Sequence, residues 1–274
     1  ICCKREGTAL TTGIYVNSNR KETALQAEEL AATLVSRGFG CRKIFRLSEK
    51  ETEGLDMLLV LGGDGTILRC AEICARAGIK IVGINYGTVG FLAEFEKDEL
   101  PFVPDFLLKL NEAKEIKRNL LKVTYKEKTF YCLNEAALRR DYSLKNGCIL
   151  QTKISVNGYP FDEISGDGAL VCTPTGSTAY SLSAGGPIIA PQTAAILFTP
   201  LCAFSLAARP VVFPENDKIT LKITRGGAFL LADGVIAAQA EEGDEITAER
   251  SDLYAVFPTR AFGGFYGKAR KKLS

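Results

Sequence analysis

Met57-Leu58-Leu59-Val60-Leu61-Gly62-Gly63-Asp64-Gly65-Thr66-Ile67-Leu68 decides how this sequence folds. The first five residues are a short apolar run, the pattern of a buried strand. From Thr66 to Ala77 the residues Ile67, Leu68, Ala71 and Cys74 recur at helical spacing, and Gly78 supplies a stop. The stretch therefore reads strand, tight turn, helix, and open α/β sheets place ligands at such turns. Adjacent glycines let backbone N–H groups approach phosphate oxygens, and the helix dipole beyond them favours negative charge. Gly62, Gly63, Gly65 and Thr66 are the candidate phosphate contacts. An acid inside such a turn weakens anion binding, so Asp64 is expected to serve the chemistry, where it can accept a hydroxyl proton during phosphoryl transfer. The plainer alternative is that Asp64 caps the helix. The motif is neither G-x-x-x-x-G-K-[ST] nor G-x-G-x-x-G, which disfavours a P-loop and an ordinary dinucleotide fold.

Working outward, strand and helix patterns alternate over the first hundred residues, the signature of a parallel sheet wrapped by helices. Gly13 to Val16, Cys41 to Phe45 and Ile81 to Ile84 read as strands, and Lys21 to Arg37 as a helix with Ala27, Leu30, Ala31, Leu34 and Val35 on one face. The loop Asn85-Tyr86-Gly87-Thr88-Val89-Gly90-Phe91-Leu92 follows the last of these strands. It either brings a second glycine-rich loop to the same sheet edge or bends to meet the next domain; Phe91 and Leu92 read as core. Past Pro101 and Pro104 the texture changes to short alternating strands with Asn157-Gly158 and Asp233-Gly234 as hairpin turns. The expected organisation is an α/β domain with a parallel sheet over 1–115, a β-rich, sandwich-like domain over 116–258, and a tail over 259–274 packing back on the first domain.

Two stretches of the second domain carry chemistry. Asn134-Glu135, at the end of an apolar run, can read sugar hydroxyls or an adenine edge, or is simply polar surface at a strand end. Gly166-Asp167-Gly168, followed by Thr173-Pro174-Thr175-Gly176-Ser177-Thr178-Ala179-Tyr180-Ser181-Leu182-Ser183-Ala184-Gly185-Gly186-Pro187, crowds hydroxyls around a helix start near Ser177. That density suits a polar ligand; capping alone explains the ends but not the whole run.

Composition removes other classes. The 274 residues are 46% hydrophobic, enough for a sizeable core, and a formal charge of +2 gives no reason to expect nucleic acid as partner. The basic tail Lys268, Arg270, Lys271 and Lys272 reads as solvated. There is no histidine, which excludes Cys/His zinc sites and histidine bases and leaves carboxylates or lysines for that work. Nine scattered cysteines without a C-x-x-C pair read as reduced core thiols of a cytoplasmic protein. No apolar run approaches the ~20 residues of a membrane span, and nothing after Ile1 to Arg5 reads as a secretory leader.

In their order along the chain, Gly62-Gly63-Asp64-Gly65-Thr66, Asn134-Glu135, and Gly166-Asp167-Gly168 followed by Thr173 to Pro187 resemble the motifs of bacterial-type NAD kinases. The similarity runs from Gly13 to near Pro258. The glycine turn is shared with diacylglycerol kinases and, more loosely, phosphofructokinases; the hydroxyl-rich stretch is far more specific. The resemblance implies transfer of the ATP γ-phosphate to the 2′-hydroxyl of the adenosine ribose of NAD, giving NADP, with a divalent metal (Mg²⁺ or Mn²⁺) on the ATP. It makes Asp64 the proton acceptor. Dinucleotide contacts then fall on Asp64, Gly65, Asn134, Glu135, Asp167, Thr175, Thr178, Ala179, Tyr180, Ser181, Leu182, Ser183 and Asp233, with Tyr180 near the adenine and Asp233 on the nicotinamide side. It also implies a homodimer or homotetramer built through the β-rich domain. Ser165 and Phe204 depart from the family, which often has a basic residue and commonly a histidine there. The alternatives are a lipid or sugar kinase sharing the glycine turn, and a catalytically silent NADP-binding regulator, which would have lost the acid.

Overall fold

The computed structural model describes residues 10–16, 21–88, 90–143, 148–260 and 264–273. They fall into two compact units, the described residues of Ile1–Lys117 with Ala255–Ser274, and Arg118–Tyr254.

In the first unit four parallel strands lie in the order Gly40–Ile44, Thr11–Val16, Met57–Gly62, Lys80–Asn85. Met57–Gly62 is buried at every position, as an apolar run covered on both faces requires. Helix Lys21–Ser36 buries Ala27, Leu30 and Leu34 against Ile14, Leu59 and Leu61 on one face. Helix Asp64–Ala77 covers the other face, where a Cβ on Gly83 would meet Ile67 Cδ1 at 2.4 Å. Two expectations shift. The helix starts at Asp64 rather than Thr66, with Gly63 as its N-cap and no side-chain cap. The second strand is an edge strand with exposed residues, and Phe45 lies beyond it, 82% exposed.

The chain's C-terminal segment belongs to this unit. Phe265 packs on Phe91 with ring centroids 6.2 Å apart, and the Lys268 ammonium donates to the Ala93 carbonyl. Arg260 forks onto the Glu99 carboxylate at 2.9 and 3.0 Å and lies over the Phe95 ring.

The second unit is antiparallel. One six-stranded sheet has the order Val211–Pro214, Ala195–Leu201, Gly168–Cys172, Glu135–Arg140, Ala228–Ala232, Val235–Ala240. Tyr159–Gly166, Leu150–Val156 and Ile219–Arg225 pair in series, and Ile219 to Lys222 pair in turn with residues 245–248. Leu138, Val171, Phe198 and Leu230 of the first sheet share one core with Ile154, Ile164, Leu221 and Ile246, which makes the unit a sandwich. Its hairpins turn at Asn157-Gly158 and Asp233-Gly234, all four residues at positive φ as a type I′ turn demands. The other face of the six-stranded sheet carries Ala137, Leu170, Cys172 and Leu197 under Ile189 and Ala184, and this is the face that matters next.

Candidate active site

The candidate residues form two clusters, one in each unit. In the first, Met57–Gly62 ends at the glycine turn and Lys80–Asn85 at the second glycine-rich loop, so parallel neighbours deliver both loops to one sheet edge. Tyr86 N–H donates to the Gly62 carbonyl at 3.2 Å, and Asn85 Oδ1 accepts Gly87 N–H at 2.9 Å while its amide donates to Glu96. Val89 of this loop lies outside the described residues. Gly62 has no room for a side chain: a Cβ there would stand 2.5 Å from Thr66 Oγ1.

Asp64 does not cap its helix. Its Oδ2 accepts Phe91 N–H at 2.8 Å and its Oδ1 accepts Leu92 N–H at 3.1 Å, so the acid of one loop is oriented by the other. Gly62, Gly63, Gly65 and Thr66 all line one cavity of about 230 Å³. Thr23, Leu61, Arg69, Tyr86 and Gly87 complete its wall. Arg69 is exposed and brings a guanidinium that no motif in the sequence announces, although it lies only one helical turn past Thr66.

In the second unit Asn134 and Glu135 are not surface residues: they are 8% and 6% exposed. Asp233 lies across the strand pair and accepts the N–H groups of Leu133, Asn134 and Glu135 at 2.8, 2.8 and 3.1 Å. Its carboxylate accepts three backbone amides, which fixes it against the segment that carries Asn134 and Glu135. Burial first, then the charge of Asp233, push the Glu135 carboxyl up to about 8. Burial likewise pushes Asp233 up, to about 6, against the lowering effect of its three amides.

The hydroxyl-rich stretch divides into two kinds. Thr173, Ser177 and Ser181 are buried and bonded inward: Thr173 Oγ1 to the Leu133 carbonyl at 2.6 Å, Ser177 Oγ to the Pro174 carbonyl at 2.7 Å, and Ser181 Oγ to Thr199 Oγ1 at 2.8 Å. Thr175 is buried too, its hydroxyl accepting from Arg118 at 3.2 Å. The Ser181 and Thr175 hydroxyls thus each have a partner inside the unit. The expected helix near Ser177 is a 3₁₀ turn, Gly176–Thr178, and one α-turn, Tyr180–Ser183. Tyr180 and Ser183 are exposed, Thr178, Ala179 and Leu182 half-buried. Asp167 is partly exposed, with Arg140 Nη1 4.0 Å from its Oδ1. Thr199 and Arg118 carry no local signal, because their partners Ser181 and Thr175 lie 18 and 57 residues away. Among the described residues no three acidic or thiol side chains converge as metal ligands.

A strand-to-helix glycine turn holding an oriented acid, joined in one chain to a sandwich that presents a carboxyl pair, is the two-unit architecture of a nucleotide-dependent kinase. The fold matches yeast NADH kinase complexed with NADH at a TM-score of 0.84 and 25% identity, covering 97% of this chain and 88% of that one. It matches an NAD kinase from Archaeoglobus fulgidus in complex with ATP at 0.77 and 27%, covering 95% and 99%. The ATP-NAD kinase N-terminal domain matches residues 42–113 and the ATP-NAD kinase C-terminal domain residues 133–258. The NAD kinase of Methanothermobacter thermautotrophicus is 36% identical across 95% of both chains, and that of Aquifex aeolicus 37% identical across 80% of this chain and 81% of its own. The chain belongs to the NAD kinase family.

Proposed function

We propose that this chain transfers the γ-phosphate of ATP to the 2′-hydroxyl of the adenosine ribose of NAD, with Asp64 as the base. The observation that carries the assignment is the fixed carboxylate: two amides from the neighbouring loop hold it beside the cavity of the glycine turn. A carboxylate offers about four lone-pair sites, and two amides leave others for a hydroxyl proton. Phosphoryl transfer asks mainly for alignment and charge neutralisation. Asp64 orients the hydroxyl and takes its proton; the Gly62 to Gly65 amides and Arg69 bind the donor phosphates. A divalent cation (Mg²⁺ or Mn²⁺) carried on ATP would neutralise further charge, consistent with a metal that binds phosphates and a carboxylate or two rather than a protein cage. Asn134, Glu135, Asp167, Tyr180 and Ser183 are the residues we assign to NAD. Incubation of the purified chain with NAD, ATP and Mg²⁺ is expected to yield NADP. Turnover of a lipid or sugar with no NADP formed would reverse the assignment.

No helix among the described residues is long and apolar enough to cross a membrane. We place the protein in the cytoplasm, supported by Cys70, Cys74, Cys132 and Cys172 as buried free thiols. A homodimer or homotetramer is the expected assembly.

A further inference from the structure

Asp233 occupies the first position of a two-residue turn, at φ 46°, and turns its carboxylate back over the neighbouring strand. The pairing of Ala232 with Ala136 sets it beside Glu135, and its own N–H donates to the Glu135 carbonyl at 3.0 Å. Three successive amides, those of Leu133, Asn134 and Glu135, converge on the one carboxylate and form a concave anion site. The backbone that carries Asn134 and Glu135 is therefore fixed from behind by Asp233.

Glu135 is the unusual partner. It is 6% exposed, and one carboxyl oxygen accepts the Tyr180 N–H. Its Oε2 is buried and meets no hydrogen-bond partner among the described residues. The groups facing it are Asp233 from the hairpin turn, Tyr180 from the Tyr180–Ser183 turn, and the Cys172 thiol from the paired strand, which burial pushes up and keeps neutral. Ionised, Glu135 would set a second buried anion beside Asp233 with an oxygen unsatisfied. Protonated, it carries a donor for which the described residues offer no acceptor, the mark of a group that awaits a partner from outside the fold.

We propose that Asp233 is a positioning residue, which clamps the Leu133 to Glu135 backbone and keeps Glu135 protonated, so that Glu135 offers the bound dinucleotide a hydrogen-bond donor. This rests on the assignment of NAD as substrate. The test is NAD binding by titration calorimetry between pH 6 and pH 10 on the intact chain, on Asp233→Asn and on Glu135→Gln. Wild-type affinity is expected to fall by about tenfold as pH rises through the ionisation of Glu135. Asp233→Asn weakens NAD at neutral pH by a similar factor and moves the step to lower pH, because the neighbouring charge is gone. Glu135→Gln has no step, and that comparison decides the matter if Asp233→Asn does not fold. A wild-type chain that binds NAD with a flat profile, or Asp233→Asn with wild-type affinity and an unmoved step, overturns the clamp and leaves the kinase assignment standing. A chain that binds no NAD at any pH overturns both.

Discussion

Asp64 Oδ2 accepts the backbone N–H of Phe91 at 2.8 Å, and this bond joins the acid of the first glycine loop to the second. With Leu92 N–H on the other oxygen, the carboxylate is oriented before any substrate arrives. Asp64→Asn removes the base and leaves one acceptor oxygen for two amides. NADP formation is expected to fall by about 10²- to 10⁴-fold, with the KM for NAD changed far less. Steady-state kinetics check this, and full turnover in the variant would remove Asp64 from its role.

Gly90 tests orientation separately from charge. A Cβ there would stand 3.0 Å from Asp64 Oδ1 and 3.2 Å from the Ala93 Cβ, so either the carboxylate or the loop must give. Gly90→Ala is expected to lower kcat roughly tenfold while costing about 1 kcal/mol of stability. Wild-type kcat in a folded Gly90→Ala protein would mean the carboxylate's placement does not limit the reaction.

The cavity of the glycine turn, proposed to hold the donor, gives two variants with different signatures. In Gly62→Ala the new Cβ would meet Thr66 Oγ1 at 2.5 Å and Thr66 Cβ at 2.7 Å, backed by the first helical turn. Such overpacking costs ~1–3 kcal/mol and should raise the KM for ATP as the turn shifts. Arg69→Ala touches an exposed side chain, so it should raise the KM for ATP about tenfold with the melting temperature unchanged. If Arg69→Ala raises the KM for NAD instead, the cavity is not the donor site.

What the sequence disclosed follows a physical division. The apolar run from Met57, the glycine stop after Ala77 and the Asn157-Gly158 turn are local constraints, so the parallel sheet and the hairpins could be read directly. Phe45 misled because an apolar residue at the end of an edge strand need not be covered. Asn134-Glu135 read equally as a ligand contact or as polar surface at a strand end, because its partner, Asp233, lies 98 residues further on. Within the hydroxyl-rich stretch nothing local separates Ser181, which faces Thr199 eighteen residues away, from Ser183, which faces solvent. Composition counts hydroxyls; only packing says which are already used.

That division is itself testable. Ser181→Ala leaves Thr199 Oγ1 buried without this partner, and both residues are fully buried, so a loss of about 1–3 kcal/mol is expected in chemical denaturation with little change in the KM for NAD. Ser183→Ala should do the reverse, weakening NAD while leaving stability within about 0.5 kcal/mol. If Ser181→Ala proves the weaker NAD binder at unchanged stability, the inward bond to Thr199 is not what holds that hydroxyl.

The buried carboxyl pair predicts a stability that depends on pH in an uncommon direction. Glu135 is raised from 4.5 to about 8 and Asp233 from 3.8 to about 6, chiefly by burial. A carboxyl raised on folding holds its proton longer in the native state than in the unfolded chain. Its contribution is fully present below the unfolded pKa and is lost as pH rises through the folded one. For Glu135 that window runs from 4.5 to about 8. Glu135→Gln cannot ionise, so its stability relative to wild type should improve between pH 5 and pH 9 by up to a few kcal/mol, at ~1.4 kcal/mol per pKa unit. Urea denaturation of both proteins at the two pH values measures the difference. A gap that stays constant, or that narrows at high pH, would mean that Glu135 is ionised in the folded protein across the whole range.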